Sequence, residues 1–187
     1  GRTNRGFLLV CTVSKEKTGY SKYYFKFMEE YGTQYVKEQL QDNYERYIEI
    51  TEKFASRDNF FDKLLLLGTD PNIWAIDVIL FVHGAQTGIE FYDRFMNMSD
   101  FEIMVNSLQI KNKLRLVYSL ACYGSYHLDS FLRSGFNTAI GAKGLNVSAA
   151  TEVPIFLPLW VQGKQIKDVM QLADNPIIRI AGDELSK

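Results

Sequence analysis

A histidine and a cysteine stand at the ends of two short apolar stretches of the chain. His83 follows residues 75–82, Cys122 follows residues 114–121, and each is soon followed by a glycine. A neighbouring imidazole can accept the proton of a thiol, which makes the sulfur nucleophilic, and can later protonate the leaving group. Either residue type alone is more often structural than catalytic, but the matched setting of the two favours thiol chemistry.

The elements that would position this pair are predicted to be strands of a parallel sheet. Both stretches are mostly β-branched, aromatic or otherwise apolar, and they are too short to span a membrane. Ligands of such sheets bind beyond the carboxyl ends of the strands. If the two strands are neighbours, His83 and Cys122 meet at the same edge. The backbone N–H groups of Gly84 and Cys122 would then be candidate donors to an oxyanion.

The remaining pattern predicts strands that alternate with helices. We predict further strands at residues 7–13, 33–36, 138–142 and 177–183 and a turn or hairpin at 85–91. We predict helices at 21–31, 42–67 (in two pieces), 93–108, 128–133, 153–160 and 166–173. This alternation indicates one α/β domain over residues 1–187, with a mostly parallel sheet of about six strands and helices on both faces.

Composition excludes several functional classes. The 187 residues are 47% hydrophobic and 23% charged, which suits a globular domain whose core needs neither disulfides nor a structural metal. A net charge of −1 gives no basic field for nucleic acid, and no apolar run reaches the roughly 18 residues of a membrane span. Two His and two Cys make no zinc-type cluster, and Cys11 is best interpreted as a small buried hydrophobe. We expect no cofactor, and the compartment, cytoplasmic or secreted, stays open.

Short motifs around the pair resemble the caspase-like clan of cysteine peptidases, clan CD. That resemblance consists of a strand followed by His83-Gly84 and, later, a strand ending in residues 121–124, Ala-Cys-Tyr-Gly. The caspase signature is Gln-Ala-Cys-x-Gly with the histidine about 50 residues upstream, and here Cys122 follows His83 by 39 positions. Residues 134–141, 156–173 and 177–183 resemble the segments that follow the nucleophile in gingipain- and CHAT-type domains.

The resemblance implies a caspase/hemoglobinase-like three-layer sandwich and endopeptidase activity on a protein or peptide substrate. It assigns His83 as the base or orienting group, Cys122 as the nucleophile and the N–H of Gly84 as an oxyanion donor. Leu120 stands where clan members carry Gln, Asp or Glu, so cleavage specificity cannot be predicted. The candidate substrate-binding residues lie beside the nucleophile and in the glycine-rich segment downstream: Leu120, Ala121, Lys143 and Gly144.

Two other functions compete with the peptidase hypothesis. One is a catalytically inactive caspase-like fold that serves as a protein-interaction module, in which His83 and Cys122 are remnants. The other is a nucleotide-binding domain, which is discounted because residues 14–19, Ser-Lys-Glu-Lys-Thr-Gly, contain a single glycine. The second histidine, His127, is interpreted as a surface or capping residue.

Overall fold

The computed structural model describes residues 3–14, 19–144, 153, 154, 156–158 and 160. The strands are β1 Thr3–Cys11, β2 Tyr44–Thr51, β3 Ala75–Phe81, β4 His83–Ala85, β5 Gly88–Glu90, β6 Phe95–Asn97, β7 Leu114–Ser119 and β8 Thr138–Gly141. The α-helices are α1 Gly19–Leu40, α2 Arg57–Thr69, α3 Met98–Ser107 and α4 Leu128–Arg133. The described residues of 153–160 are also helical, as predicted.

Five of the strands form one sheet in the order β2-β1-β3-β7-β8, and every pairing in it is parallel. Strands β4, β5 and β6 form a small antiparallel sheet beside it. The α/β class and the parallel sheet are therefore confirmed. The predicted strand at 177–183 and the predicted helix at 166–173 lie outside the described residues.

Helices cover both faces of the main sheet, as the alternation of elements predicted. Successive side chains of a strand point to opposite faces, and in β1 Leu8 and Val10 join one core cluster while Phe7 and Leu9 join the other. Helices α2, α3 and α4 contribute to the first cluster, and α1 with the helical residues of 153–160 contributes to the second. The described part of the chain is thus an α/β sandwich with two cores.

The first half of the helix predicted at 42–67 is wrong. Residues Tyr44–Thr51 form β2, which pairs in parallel with β1 at the edge of the sheet. The segment is rich in tyrosine, isoleucine and threonine, which favour strands, and pairing with β1 outweighs its approximate helical spacing. The second half is a helix, α2, and its N-cap is Ser56, whose hydroxyl accepts the N–H of Asn59 at 3.3 Å.

The predicted end of the first helix at residue 31 and the strand predicted at 33–36 are also wrong. Helix α1 continues through both, to Leu40. A β-carbon on Gly32 would lie 3.1 Å from the ring of Phe81. Gly32 therefore allows α1 to approach the sheet closely, and it does not end the helix.

Predictions around the small sheet are partly confirmed. The hairpin predicted at 85–91 is present as β4 and β5. The next helix begins at Met98 instead of residue 93, because residues Phe95–Asn97 pair with β5 as β6. Helix α4 has the predicted bounds, and β8 ends one residue before the predicted 142.

No helix within the described ranges has both the length and the apolarity needed to cross a bilayer.

A polar cluster around a buried carboxylate, which we call the amino-edge cluster, joins the sheet to the helical residues near 160. Its members are Tyr44, Asp77, Arg115 and Trp160. Asp77 is 1% exposed in the middle of the sheet and accepts the Tyr44 hydroxyl at 2.6 Å and the Nε of Arg115 at 2.8 Å, with a second bond from Arg115 Nη2. The indole N–H of Trp160 donates to the Tyr44 oxygen at 3.3 Å. Sequence reasoning missed this cluster, because Asp77 is a lone acid in an apolar run.

Candidate functional site

The two strands that carry the candidate pair are direct neighbours. Strands β3 and β7 pair in parallel, with Leu80 opposite Ser119, and the N–H of Leu120 donates to the Leu80 carbonyl at 2.8 Å. The pairing thus continues past the end of β7. His83 and Cys122 therefore leave the sheet at the same carboxyl edge, which is the condition that the sequence left open.

Gly84 is the point of contact between the segment after β3, which includes β4, and the turn after β7 that carries Cys122; we call these two segments the site loops. A β-carbon placed on it would lie 2.7 Å from the carbonyl oxygen of Cys122 and 2.8 Å from the side chain of Ala121. Real β-carbons do not approach other atoms so closely, so only glycine fits here without a shift of one loop. The role of the Gly84 N–H as an oxyanion donor stays a prediction. The close packing is a structural reason for a glycine at this position.

His83 is half-buried and held by the loop that follows β1. Its Nε2 lies 2.9 Å from the carbonyl oxygen of Val13, and its ring meets the edge of Phe25 of α1 at a centroid distance of 5.9 Å. A carbonyl only accepts hydrogen bonds, so Nε2 carries the proton in this arrangement. Nδ1 is then the basic nitrogen of the neutral imidazole.

Three hydrogen bonds fix the loop that carries Val13. The N–H and the hydroxyl of Thr12 donate to the carbonyls of Phe81 at 3.0 Å and Glu90 at 3.1 Å. The N–H of Ser14 donates to the carboxylate of Glu29 on α1 at 3.0 Å. Burial raises the pKa of Glu29, although the Ser14 hydrogen bonds oppose that change. The support of His83 therefore comes from β1, β3, β5 and α1 together.

The turn that carries Cys122 is fastened to residues 142–144. Tyr123 has a left-handed backbone (φ 59°), its N–H donates to the Gly144 carbonyl at 2.7 Å, and the N–H of Ser125 donates to the Ala142 carbonyl at 2.8 Å. The left-handed conformation is therefore adopted by Tyr123 and not by the glycine that follows it. A β-carbon on Gly124 would lie 3.0 Å from the Cα of Gly141, so Gly124 is needed for close packing.

The two cysteines differ in environment. Cys122 is partly exposed, whereas Cys11 is 0% exposed, and both are thiols. Burial, with a smaller contribution from Glu29, raises the pKa of Cys11 well above its usual value, which keeps it protonated. The interpretation of Cys11 as a buried hydrophobe is confirmed.

The predicted substrate-binding residues fall into two environments. Leu120 is 3% exposed in the core that includes Tyr118, and Ala121 is 0% exposed. Their side chains face the protein interior, so a role in binding substrate stays a prediction and is confined to their backbone. Lys143 is exposed and Gly144 half-buried, both in the segment to which the Cys122 turn is bonded.

Sequence reasoning missed an aromatic pair beside the candidate nucleophile. Tyr126 is 59% exposed, and its ring stands edge-on to that of Tyr123 at 6.3 Å between centroids. Both lie within four residues of Cys122 and three positions apart. The spacing of three positions is visible in the sequence. It brings the two rings together because residues Gly124–His127 form a 3-10 helix.

Of the two interpretations of His127, the surface residue is wrong; His127 does stand at the N-cap position of α4, but its side chain makes no capping hydrogen bond. The residue is 0% exposed, and its Nε2 lies 2.7 Å from the carbonyl oxygen of Ala85, at the end of β4. Burial lowers the pKa of His127, an effect that its hydrogen bond to Ala85 opposes. His127 is therefore hydrogen-bonded to β4, the strand that begins with His83.

Within the described residues, no group of three or more His, Cys, Asp or Glu side chains is arranged to hold a metal ion. No protein-family model matches the chain, and a search of curated proteins finds no significant match.

Proposed function

We propose that the chain is a cysteine endopeptidase with a caspase-like fold. The observation that carries the proposal is the contact of the two loops at the carboxyl edge of paired parallel strands, where Gly84 packs on the carbonyl of Cys122. The parallel sheet with helices on both faces supports the proposal at the level of fold class. The short motifs around His83 and Cys122 supply the resemblance to clan CD.

The mechanism assigns one role to each of these groups. The Cys122 thiol transfers its proton to Nδ1 of His83 as the sulfur attacks the scissile carbonyl carbon. The backbone N–H groups of Gly84 and Cys122 stabilise the oxyanion. The C–N bond breaks, His83 protonates the departing amine, and a thioester remains. Water then attacks the thioester while His83 accepts its proton, and the Cys122 thiol is restored.

The Val13 carbonyl contributes by orientation. Because it accepts the Nε2 proton of His83, the lone pair of the neutral ring is on Nδ1. The hydrogen bonds from Thr12 and Ser14 keep that carbonyl in place before substrate arrives. A catalytic group that is already oriented need not lose rotational freedom during the reaction.

The test combines thiol labelling with turnover on a peptide library. We expect an alkylating agent to modify Cys122 first, because Cys11 is buried and its pKa is raised. Cys122→Ala should abolish cleavage, and Cys11→Ala serves as the matched control that keeps it. Equal, slow labelling of both thiols, or cleavage that survives in Cys122→Ala, would contradict the proposal.

A second candidate function is a protein-interaction module on the same fold. It is favoured by a stripe of exposed aromatic side chains spaced four residues apart on α1: Tyr23 at 75% exposure, Phe27 at 61% and Tyr31 at 50%. Exposed apolar patches often mark interaction sites. Stable capture of a protein partner that is lost in Phe27→Ser, together with no cleavage across the library, would favour this function over the first.

A further inference from the structure

His127 connects the two site loops of the proposed active site, namely the segment that includes β4 and the turn that carries Cys122. It is the last residue of the 3-10 helix Gly124–His127, which starts two residues after Cys122. Its hydrogen-bond acceptor, the carbonyl of Ala85, closes β4, the strand that starts with His83. The bond therefore joins the turn of the candidate nucleophile to the strand of the candidate base.

The buried ring of His127 is held by packing and by its hydrogen bond to Ala85. The ring packs edge-on against Phe131, itself 0% exposed, at 6.2 Å between centroids. Nδ1 of His127 is buried and has no hydrogen-bond partner among the described residues. A buried nitrogen without a partner costs about 1–3 kcal/mol, which an apolar side chain of similar shape would avoid. The 2.7 Å bond from Nε2 to Ala85 acts against this cost.

The lowered pKa of His127 agrees with a neutral ring that donates its hydrogen bond from Nε2. Burial lowers its pKa, so the ring is neutral at pH 7 and carries one proton. Because the Ala85 carbonyl can only accept, that proton is on Nε2. The ring therefore presents a single tautomer to β4.

We propose that His127 is a positioning residue, which sets the placement of His83 by fixing β4 against the Cys122 turn. The contact of Gly84 with the Cys122 carbonyl limits how closely the loops approach. The His127 bond adds the attraction that holds them at that limit. Its effect on turnover rests on the proposed peptidase function, whereas its effect on the geometry of His83 does not.

Two near-isosteric variants separate positioning from simple packing. The amide of Gln reaches close to the position of Nε2 and can still donate to Ala85, whereas the shorter amide of Asn lies near the position of Nδ1. We expect His127→Gln to keep the properties of the native chain. We expect His127→Asn to lose about 10-fold or more in kcat at little change in KM, as misplacement of a catalytic group does.

The readout that does not need turnover is the nitrogen-resolved NMR spectrum of the imidazole. Each variant has His83 as its sole histidine, so one ring is observed without overlap. Its resonances should match the native ones in His127→Gln and shift in His127→Asn, with Cys122 alkylated at a different rate. Thermal melts of both variants establish that each is folded.

The outcomes are distinguishable. If the native chain cleaves no peptide but His83 shifts only in the Asn variant, the peptidase proposal fails and the positioning role stands. If both folded variants leave the His83 resonances and the Cys122 alkylation rate unchanged, or alter them equally, the positioning role is overturned. That second result would leave the peptidase proposal untouched when the native chain does cleave.

Discussion

The same two strands carry polar groups at both ends, and the two ends are built differently. At the amino end, Asp77 of β3 and Arg115 of β7 belong to the amino-edge cluster, in which the carboxylate is 1% exposed and bonded to several donors. At the carboxyl end, His83 and Cys122 are both only partly buried, and they lie beyond β3 and β7, His83 at the start of β4 and Cys122 in a turn. We call this second region the carboxyl-edge site.

The difference separates groups that hold the fold from groups that remain available for chemistry. A buried carboxylate is tolerable only when its charge and lone pairs are satisfied, and the amino-edge cluster does this with Arg115 and Tyr44. Burial and the Asp77 carboxylate raise the pKa of Tyr44, so its hydroxyl stays protonated and donates. The carboxyl-edge site instead leaves a thiol partly exposed and relies on backbone contacts to place it.

The largest effect should come from breaking the amino-edge cluster. Asp77→Asn leaves the Arg115 guanidinium without its counter-charge inside the sheet. We expect a loss of about 3 kcal/mol in the free energy of unfolding, at the lower end for such pairs because the Arg115 side chain is 31% exposed.

Urea unfolding measures this loss, and Glu102→Gln is the matched control. Glu102 forms an ion pair with Arg133, whose side chain is 58% exposed, so its removal should cost less than about 1 kcal/mol. Equal losses in the two variants would show that the amino-edge cluster is not the stabilising element described above.

A slightly smaller effect is expected at the carboxyl-edge site. Gly84→Ala places a methyl group 2.7 Å from the Cys122 carbonyl oxygen and must push the two loops apart. We expect kcat/KM for peptide cleavage to fall by about 100-fold, because small displacements of reacting groups have effects of this size. Gly6→Ala is the control, since a β-carbon there meets the side chains of Leu67 and Ile73, which are not part of the site. Full activity in Gly84→Ala would refute the close contact of the loops.

Removing one hydrogen bond of the amino-edge cluster should have a moderate effect. Tyr44→Phe deletes the donor to Asp77 and the acceptor of the Trp160 N–H but keeps the packing of the ring. We expect a loss of about 1.5–3 kcal/mol in unfolding free energy, the usual range for a bond to a charged group. Thermal and urea denaturation would show it, and kcat/KM should be unchanged. A fall in activity without loss of stability would mean that the two ends of the strands are coupled.

The smallest effect concerns Glu29, which supports the carboxyl-edge site through Ser14. Its pKa is raised in the folded protein, so the folded state binds the Glu29 proton more tightly than the unfolded state. The corresponding stability is present below the ordinary carboxyl pKa of 4.5 and is lost as pH rises through the raised value. Glu29→Gln should remove this pH dependence and keep an acceptor for Ser14. Unfolding curves measured from pH 4 upward check it, and an unchanged slope in the variant would contradict the assignment.

Much of the framework followed from the sequence because it depends on local patterns. Apolar β-branched runs predicted β1, β3 and β7, and the alternation of strands and helices predicted a parallel sheet covered on both faces. The same runs indicated where His83 and Cys122 leave the sheet. The prediction failed at Tyr44–Thr51, where pairing with β1 overrides an approximate helical spacing, and at Gly32, whose role depends on the ring of Phe81.

By itself, the sequence determined the class of fold and the two residues most capable of thiol chemistry, since periodicity and residue type are properties of short segments. Only the tertiary structure decided that β3 and β7 are neighbours, that Gly84 touches Cys122 and that His127 is buried beneath the site. These facts join residues about 40 positions apart in the chain. Such contacts are set by strand order and by the packing of whole elements, which no local pattern encodes.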